Sequence, residues 1–460
     1  MYTKAEPYDP LYYKPVEAEG YVRECMSWHE GCYIHSGLNP FPEADLEGPD
    51  VEKLLAKYFV NSFANRPVGK GMHGIMCNDQ GKIVSDGILV KTGEQKYRSL
   101  CLPYLGMLAQ NEKDLDLTVT ELTGTKGFYQ FCGPRSLELM ENVTCQDLHG
   151  LKFMHFVSAS IDDLPVFIFR VGMAGTLGYE IHFEMKDADA IYRKVAECGE
   201  NYGLVQLGRH AYNSTHTEGG FTQCSIHFMY ADFNHANDEV LGKRSFPAQA
   251  AGIYHSLYSP SFGDIMYDGS YSDQPYKSLF RTPAECGWAR MVKFDHDFLG
   301  RAAIEKEQVE EDCPRQMVTL EWNGDDVVDV FASLLRDGEP YRYMDIPEDL
   351  APYVEQPYNH VTKVASSAAL YYSQDIVNID GRQVGVSSGR MYSPFYRKVI
   401  SLCTIERDAA IVGNDVEVIW GNPGTNQRVI RARVAPFPYV QSGRNEKISV
   451  ADIPSGVPVA

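Results

Sequence analysis

The chain has 460 residues, 44% hydrophobic and 23% charged, a length and composition that support large buried cores in two or three domains. Its formal net charge of -20 argues against a nucleic-acid partner, because neutralising phosphates takes clustered Lys and Arg. No apolar run reaches the length of a membrane span, and the start "MYTKAEPYDPLYYKP" has no apolar signal core, so no membrane association and a cytoplasmic location are expected.

"GPDVEKLLAKYFVN" (48–61) reads as a helix capped by Asp50, with Val51, Leu54, Leu55 and Tyr58 on one stripe. "GKGMHGIMCNDQGKIVSDGILVKTGEQKYRSLCL" follows as a β-meander with turns at "NDQG" and "KTGEQ". The strand "GFYQFC" precedes a helix in "GPRSLELMENV", and "LPVFIFRV" is a further strand. Next comes "GMAGTLG", with Gly172, Gly175 and Gly178 in the spacing GxxGxxG. A dinucleotide-binding loop is GxGxxG and opens a helix, whereas "YEIHFEM" alternates Tyr179, Ile181, Phe183 and Met185 against Glu180, His182 and Glu184. The segment is therefore strand, glycine loop, strand, and a phosphate has no helix N-terminus to meet. "DADAIYRKVAECGENYG" is a helix with Asp187 as N-cap, Ile191, Val195 and Cys198 on one face, and Gly199 or Gly203 as its stop.

Residues 235 to 285 are dense in Tyr, Ser, Gly and Pro and read as a long ordered loop. "VKFDHDFLGRAAIEKEQ" leads into a helix, after which "RQMVTLEW", "RQVGVSSGR", "ISLCTIE", "DVEVIWG" and "RVIRARVAPFPYV" are short strands of an all-β C-terminal domain. Strands and helices mix without strict βαβ alternation, so the fold class is α+β. The eleven cysteines are scattered without a CxxC pair and read as reduced thiols. "WHEGCYIH" and "HAYNSTHTE" lack a metal-ligand spacing, so no metal is expected.

Taken in order, "GPDVEKLLAKYFVN", "GKIVSDGILV", "QFCGPRSLELM", "RVGMAGTLGYEIHF", "GLVQLGRHAYNSTHTEGG", "FLGRAAIE" and "VSSGRMYSPFYRKVISLCTI" resemble the glycine cleavage T-protein (aminomethyltransferase) superfamily, which includes folate-dependent demethylases. "VGMAGTLGYEI", "GRHAY", "VKFDHDFLGR" and "VTLEWNGDD" are similar to its aromatic O-demethylases in particular. The resemblance implies a three-lobed folate-binding fold with a C-terminal β-barrel. It divides the chain into a folate- and substrate-binding region of two interleaved lobes (1–290), a helical connector (291–313), the barrel (314–445) and a tail (446–460). It also implies tetrahydrofolate as cofactor and a small methoxylated aromatic as substrate.

By the same resemblance Glu180 binds the pterin end of folate, where a carboxylate can accept parallel hydrogen bonds from the 2-amino group and a ring N–H. The residues alone favour an ordinary exposed strand glutamate, and it is the resemblance that reverses this. Tyr179 and Glu218, the latter in the retained Glu-Gly ending, are further cofactor candidates, and Arg170, Arg209 and Lys293 are candidate cations for the anionic folate tail. Tyr212 stands where the aromatic O-demethylases carry the acid that helps the ether oxygen leave; the residues alone allow a packed tyrosine with its hydroxyl satisfied. T-proteins have paired aspartates where this chain has Ser85 and Asp86, a departure that argues against glycine cleavage. Phe221, Tyr12, Tyr13 and Trp28 are candidates for the apolar slot that holds the aromatic ring, with Ser85 and Leu102 as further substrate contacts. Leu102 replaces an expected arginine, and "EGCYIHSGLNPFPEADLEG" lacks an expected Gln and His pair, so a neutral methoxyaromatic is favoured over a benzoate. The implied chemistry is methyl transfer to folate N5 with Tyr212 giving a proton to the departing oxygen. An N-methyl or sulfonium donor, or a non-catalytic folate-binding protein, are the alternatives.

Overall fold

The computed structural model describes residues 17–36, 39, 42–102, 104–224, 226–231, 266–309, 314–346 and 371–458. Three sheets organise them. The first holds β1 (Cys32–His35), β7 (Lys126–Cys132), β8 (Phe156–Ile161), β9 (Leu164–Phe169), β10 (Gly178–Glu184) and β11 (Leu204–Gln206), in the order β11-β1-β7-β10-β9-β8. On one of its faces Phe131, Tyr179 and Ile181 meet Leu137 and Met140 of α4 (Ser136–Thr144) and Ile191 and Val195 of α5 (Ala188–Gly199). Burial of each such side chain is worth about 1.5–3 kcal/mol, which is why the alternation along β10 fixes its faces. Past α5 a short 3₁₀ turn carries the chain to Gly203, whose φ of 66° makes it the true stop.

The second sheet is the expected meander, extended by a strand on either side of it in sequence. Its order is β3 (Gly71–Cys77), β4 (Ile83–Gly93), β5 (Lys96–Leu100), β2 (Glu43–Glu47) and β6 (Thr118–Glu121). Val51, Leu54, Leu55 and Tyr58 of α2 (Val51–Tyr58) and Leu105 and Leu108 of α3 (Leu105–Asn111) fill its core. Asp50 stands at the N-cap position of α2 without capping it. Its carboxylate pairs with Lys53 (2.5 Å) and accepts the Asp116 N–H (3.0 Å), tying the helix start to the chain ahead of β6.

The third sheet contains β13 (Arg315–Trp322), β14 (Tyr371–Ile379), β15 (Arg382–Ser393), β16 (Lys398–Glu406), β17 (Asp415–Trp420) and β18 (Arg428–Ala435). Pairing of β14 with β17 closes these six into a barrel, the C-terminal domain. β12 (Met266–Asp268) adds to β14 in parallel, so a strand from before residue 290 belongs to the barrel sheet. Residues 235–265 of the Tyr-rich segment lie outside the described residues. The connector forms the expected helix, α7 (Arg301–Val309). The barrel also carries a helix among its strands, α8 (Gly324–Ser333), whose first turn is capped by the Asn323 side chain accepting the Asp326 N–H at 3.1 Å.

Two polar junctions join the lobes. Glu285, 2% exposed, receives Lys82 (3.1 Å) from the meander and Arg315 from β13. Burial opposes its ionisation, but Lys82, Arg315 and Arg281 outweigh that and hold the carboxyl at about 2. Glu285→Gln would strand these cations and is expected to cost about 2–4 kcal/mol, since Lys82 and Arg315 keep some contact with water. A urea midpoint equal to that of the wild type would contradict this.

The C-terminal residues pack back on the first lobe rather than trailing from the barrel. Glu141 of α4, fully buried, accepts the Gly456 N–H (2.8 Å) through one oxygen and pairs with His149 Nδ1 (2.7 Å) through the other, while His149 Nε2 reaches the Ile453 carbonyl (2.9 Å). Both ring nitrogens must donate in this arrangement, so it needs imidazolium. The Ile453 carbonyl, then Glu141 and Asp147, raise the His149 pKa from 6.5 against partial burial. A raised folded pKa gives stability that is full below the unfolded value and lost as pH rises through the folded one. Hydrogen exchange at residues 453–456, corrected for intrinsic rates, should therefore accelerate as pH climbs above about 6.5; pH-independent protection would refute the latch.

Candidate functional site

The face of the first sheet opposite α4 and α5 is polar at its centre. Register places His35 of β1, Gln130 of β7, Glu180 of β10 and Phe169 of β9 in one row across the strands. Glu180 is 5% exposed; its Oε1 accepts from Gln130 Nε2 and its Oε2 from His182 Nε2, each at 2.8 Å. His182, two residues along the same face, stacks on Phe128 at 5.0 Å. Gln130 Oε1 is buried without a hydrogen-bond partner among the described residues. A carboxylate has about four lone-pair sites, so Glu180 keeps acceptor capacity beside this orphaned carbonyl.

Facing this row is α6 (Arg209–Gly219), with α1 (Tyr21–Glu30) packed behind it. The glycine loop sets the distance between α6 and the sheet. Gly175 has φ 72°, and a Cβ there would lie 2.9 Å from the Gly219 Cα; a Cβ on Gly219 would come within 2.4 Å of the Met173 carbonyl. The loop and the end of α6 thus touch backbone to backbone, which only glycine allows at both positions.

Tyr212, half-buried on α6, stacks on His35 with ring centroids 4.0 Å apart and 13° between planes. His216, one turn further, meets Tyr212 edge-on at 5.0 Å and lies 6.0 Å from Phe221. Phe221 in turn is 5.3 Å from His73 and 6.1 Å from Trp288, and His73 Nε2 bonds Asp86 Oδ2 at 2.7 Å. A continuous wall of rings therefore runs from the Glu180 row to the Asp86 carboxylate of β4. Burial, then the neighbouring side chains of Cys101, Glu180 and Cys132, raise the Tyr212 pKa well above 10, so the hydroxyl keeps its proton at neutral pH. The hydroxyl is a weaker acid than the unperturbed tyrosine that would match a free phenol. An aryloxide formed in the same surroundings would meet the same penalty, so the two oxygens would stay comparable in basicity.

The expected site residues divide into two groups. Glu180, Tyr212 and Phe221 belong to this one surface. The others do not share it in the expected way. Tyr179 points to the opposite face of β10, into the core under α4 and α5. Arg170 is buried and spends its guanidinium on the Leu151 carbonyl (3.0 Å), Asn445 Oδ1 (3.1 Å) and the Asn445 and Ile448 carbonyls (3.0 and 3.3 Å). It is a clamp on the returning C-terminal segment rather than a cation awaiting a folate tail. Glu218 and Trp28 are partners of each other: Trp28 Nε1 donates to Glu218 Oε1 at 2.8 Å, and His29 Nε2 shares that oxygen. They lock α1 to α6, in an apolar cluster against which the Tyr212 ring also packs. Ser85 and Leu102 are buried at 0% and 3% exposure, Leu102 within the apolar core of the second lobe. Arg209 opens α6, and Lys293 is exposed with its Nζ on the Arg290 carbonyl (3.0 Å). Tyr12 and Tyr13 lie outside the described residues. Sequence reasoning passed over His35, Gln130, His73 and His216. His35 and Gln130 had a signal in strand alternation and His216 in its position four residues after Tyr212; His73 had none.

The chain belongs to the GCVT (aminomethyltransferase) family of enzymes. The model of the GCVT N-terminal domain matches residues 1–228. A sesamin methylene transferase of Sinomonas sp. is 35% identical over 446 residues, 96% of this chain and 93% of the relative. A syringate O-demethylase of Sphingobium sp. is 28% identical over 448 residues, 92% and 89% of the two chains. Among solved structures, the glycine cleavage system aminomethyltransferase T of Bartonella henselae shares the fold with a TM-score of 0.61 at 15% identity, covering 93% of this chain and 91% of its own. Among the described residues no helix is long and apolar enough to cross a membrane.

Proposed function

We propose that the protein is a tetrahydrofolate-dependent O-demethylase, moving a methyl group from an aromatic ether oxygen to folate and leaving a phenol. The observation that carries this reading is the stacking of Tyr212 on His35 in the same strand row as Glu180, which sets a protonated phenol facing a buried carboxylate and amide. Gln130 Oε1 and the free lone pairs of Glu180 are adjacent acceptors that fit the paired N–H donors of a pterin edge. Bound there, tetrahydrofolate would supply the N5 amine that accepts the methyl carbon. Glu180 and Gln130 fix its orientation, a contribution that reaches at most about 7–11 kcal/mol for a well-aligned pair of reactants. Tyr212 holds a proton against the ether oxygen and releases it as the carbon–oxygen bond breaks, leaving a neutral phenol; the tyrosinate then recovers the proton that the methylated amine must shed. Phe221 and Trp288 offer apolar surface to the aromatic ring.

A second reading is favoured by the 35% identity, over nearly the whole chain, to a protein whose name describes methylene transfer. There the donor is a methylenedioxy ring, both oxygens leave the same carbon, and two protons must be delivered. Incubation with tetrahydrofolate and a panel of methoxyaromatics, methylenedioxyaromatics, methylamines and sulfoniums, followed by mass, separates these outcomes. 5-Methyltetrahydrofolate from a methoxyaromatic supports demethylation, and the 5,10-methylene form supports the second reading. No one-carbon folate from any oxygen donor overturns both.

A further inference from the structure

His216 has more hydrogen-bonding capacity than the chain uses. It is fully buried, and neither ring nitrogen makes a well-formed hydrogen bond among the described residues, although the Phe221 backbone lies close enough to favour the protonated ring. Its neighbour His227 is equally enclosed but fully used: Nδ1 accepts the Gln223 N–H (3.0 Å) and Nε2 bonds Thr217 Oγ1 (3.0 Å), which donates to the Gly389 carbonyl (2.7 Å). Buried polar groups in folded proteins nearly always have partners, and an unpartnered pair on one ring is costly unless something else supplies them. The ring sits between Tyr212 and Phe221, beside the residue assigned to the leaving oxygen and the residue assigned to the aromatic slot.

We propose that His216 is a second polar contact for the aromatic donor, hydrogen-bonding the ring substituent next to the oxygen that Tyr212 serves, and that it thereby selects which substituted rings bind. The inference rests on the demethylase reading for the identity of the ligand. Burial lowers the His216 pKa to about 4, so at neutral pH the ring offers one N–H donor and one lone pair. That pair suits a hydroxyl or ether oxygen and gives no positive charge to hold a carboxylate. Asp86, the nearby anion, is already bonded to His73 and to the Tyr230 hydroxyl (2.6 Å).

The test is a binding measurement on the full chain without folate, using catechol and phenol as probes in isothermal titration. The wild type should prefer catechol by about tenfold, the effect of one added hydrogen bond to an otherwise orphaned group. His216→Phe should bring the two affinities to within about twofold, and His216→Gln, which keeps a donor and an acceptor, should restore part of the preference. Equal binding of both probes by the wild type, no binding of either, or an undiminished preference in a folded His216→Phe variant would overturn the proposal. Should the variants not fold, ¹⁵N-histidine spectra of the wild type decide it. Catechol should move the signals of one neutral imidazole that phenol leaves in place, and the absence of that movement rejects the contact. Because no turnover is read, failure of the demethylase reading in the folate assay remains a separate result.

Discussion

Tyr212→Phe is expected to lower turnover of a methoxyaromatic by about 10²–10⁴-fold, the usual range for loss of a positioned proton donor. Tetrahydrofolate affinity should stay within about twofold, because the hydroxyl is assigned to the donor oxygen and not to the cofactor. The stacking of its ring on His35 at 4.0 Å does not need the hydroxyl, so the phenyl variant keeps the local packing. Burial keeps the tyrosine protonated well beyond neutral pH, so no alkaline loss of rate traceable to this group should occur below pH ~10 in the wild type. Near-normal turnover in the variant would remove Tyr212 from the chemistry.

Glu180→Gln is expected to act the other way round. A hydrogen bond to a charged group is worth about 1.5–3 kcal/mol, so replacing the carboxylate should weaken tetrahydrofolate roughly 10–100-fold while the aromatic probe binds unchanged. The variant also loses an acceptor that Gln130 and His182 share, so a fall of about 1–3 kcal/mol in stability should accompany it. Titration of folate and thermal melting read the two effects separately. Unchanged folate affinity would show that the row in the first sheet is a structural network and not a pterin site.

The parts of this arrangement that could be read from the sequence were those with a short repeat. Period-two alternation put Glu180 and Tyr179 on opposite faces of β10, and the turn signals of the meander gave β3, β4 and β5. Contacts that carry no side-chain pattern stayed hidden. The approach of Gly175 to Gly219 joins two backbones, and spacing alone suggested only a turn between strands. Arg170 read as a free cation because its partners are mostly carbonyls contributed by residues 151 and 445–448, which no local window includes. Trp28 and Glu218 were assigned to two ligands, whereas a 2.8 Å bond joins them across 190 residues of chain. The α8 start was legible in "NGDD", an N-cap asparagine with two acids in the first turn, but the run of strands around it drew the reading toward an all-β domain.

The glycine contact between the loop and α6 has a consequence for how such a protein can change. The spacing between Tyr212 and Glu180 is held by main-chain atoms, to which no side-chain replacement elsewhere in the pocket contributes. Residues such as Phe221 and Trp288 can then be exchanged for others without moving Tyr212 relative to Glu180. On the proposed reading recognition and alignment are inherited separately: new donors would be reached by exchanging wall residues, while Gly175 and Gly219 keep Tyr212 and Glu180 in register.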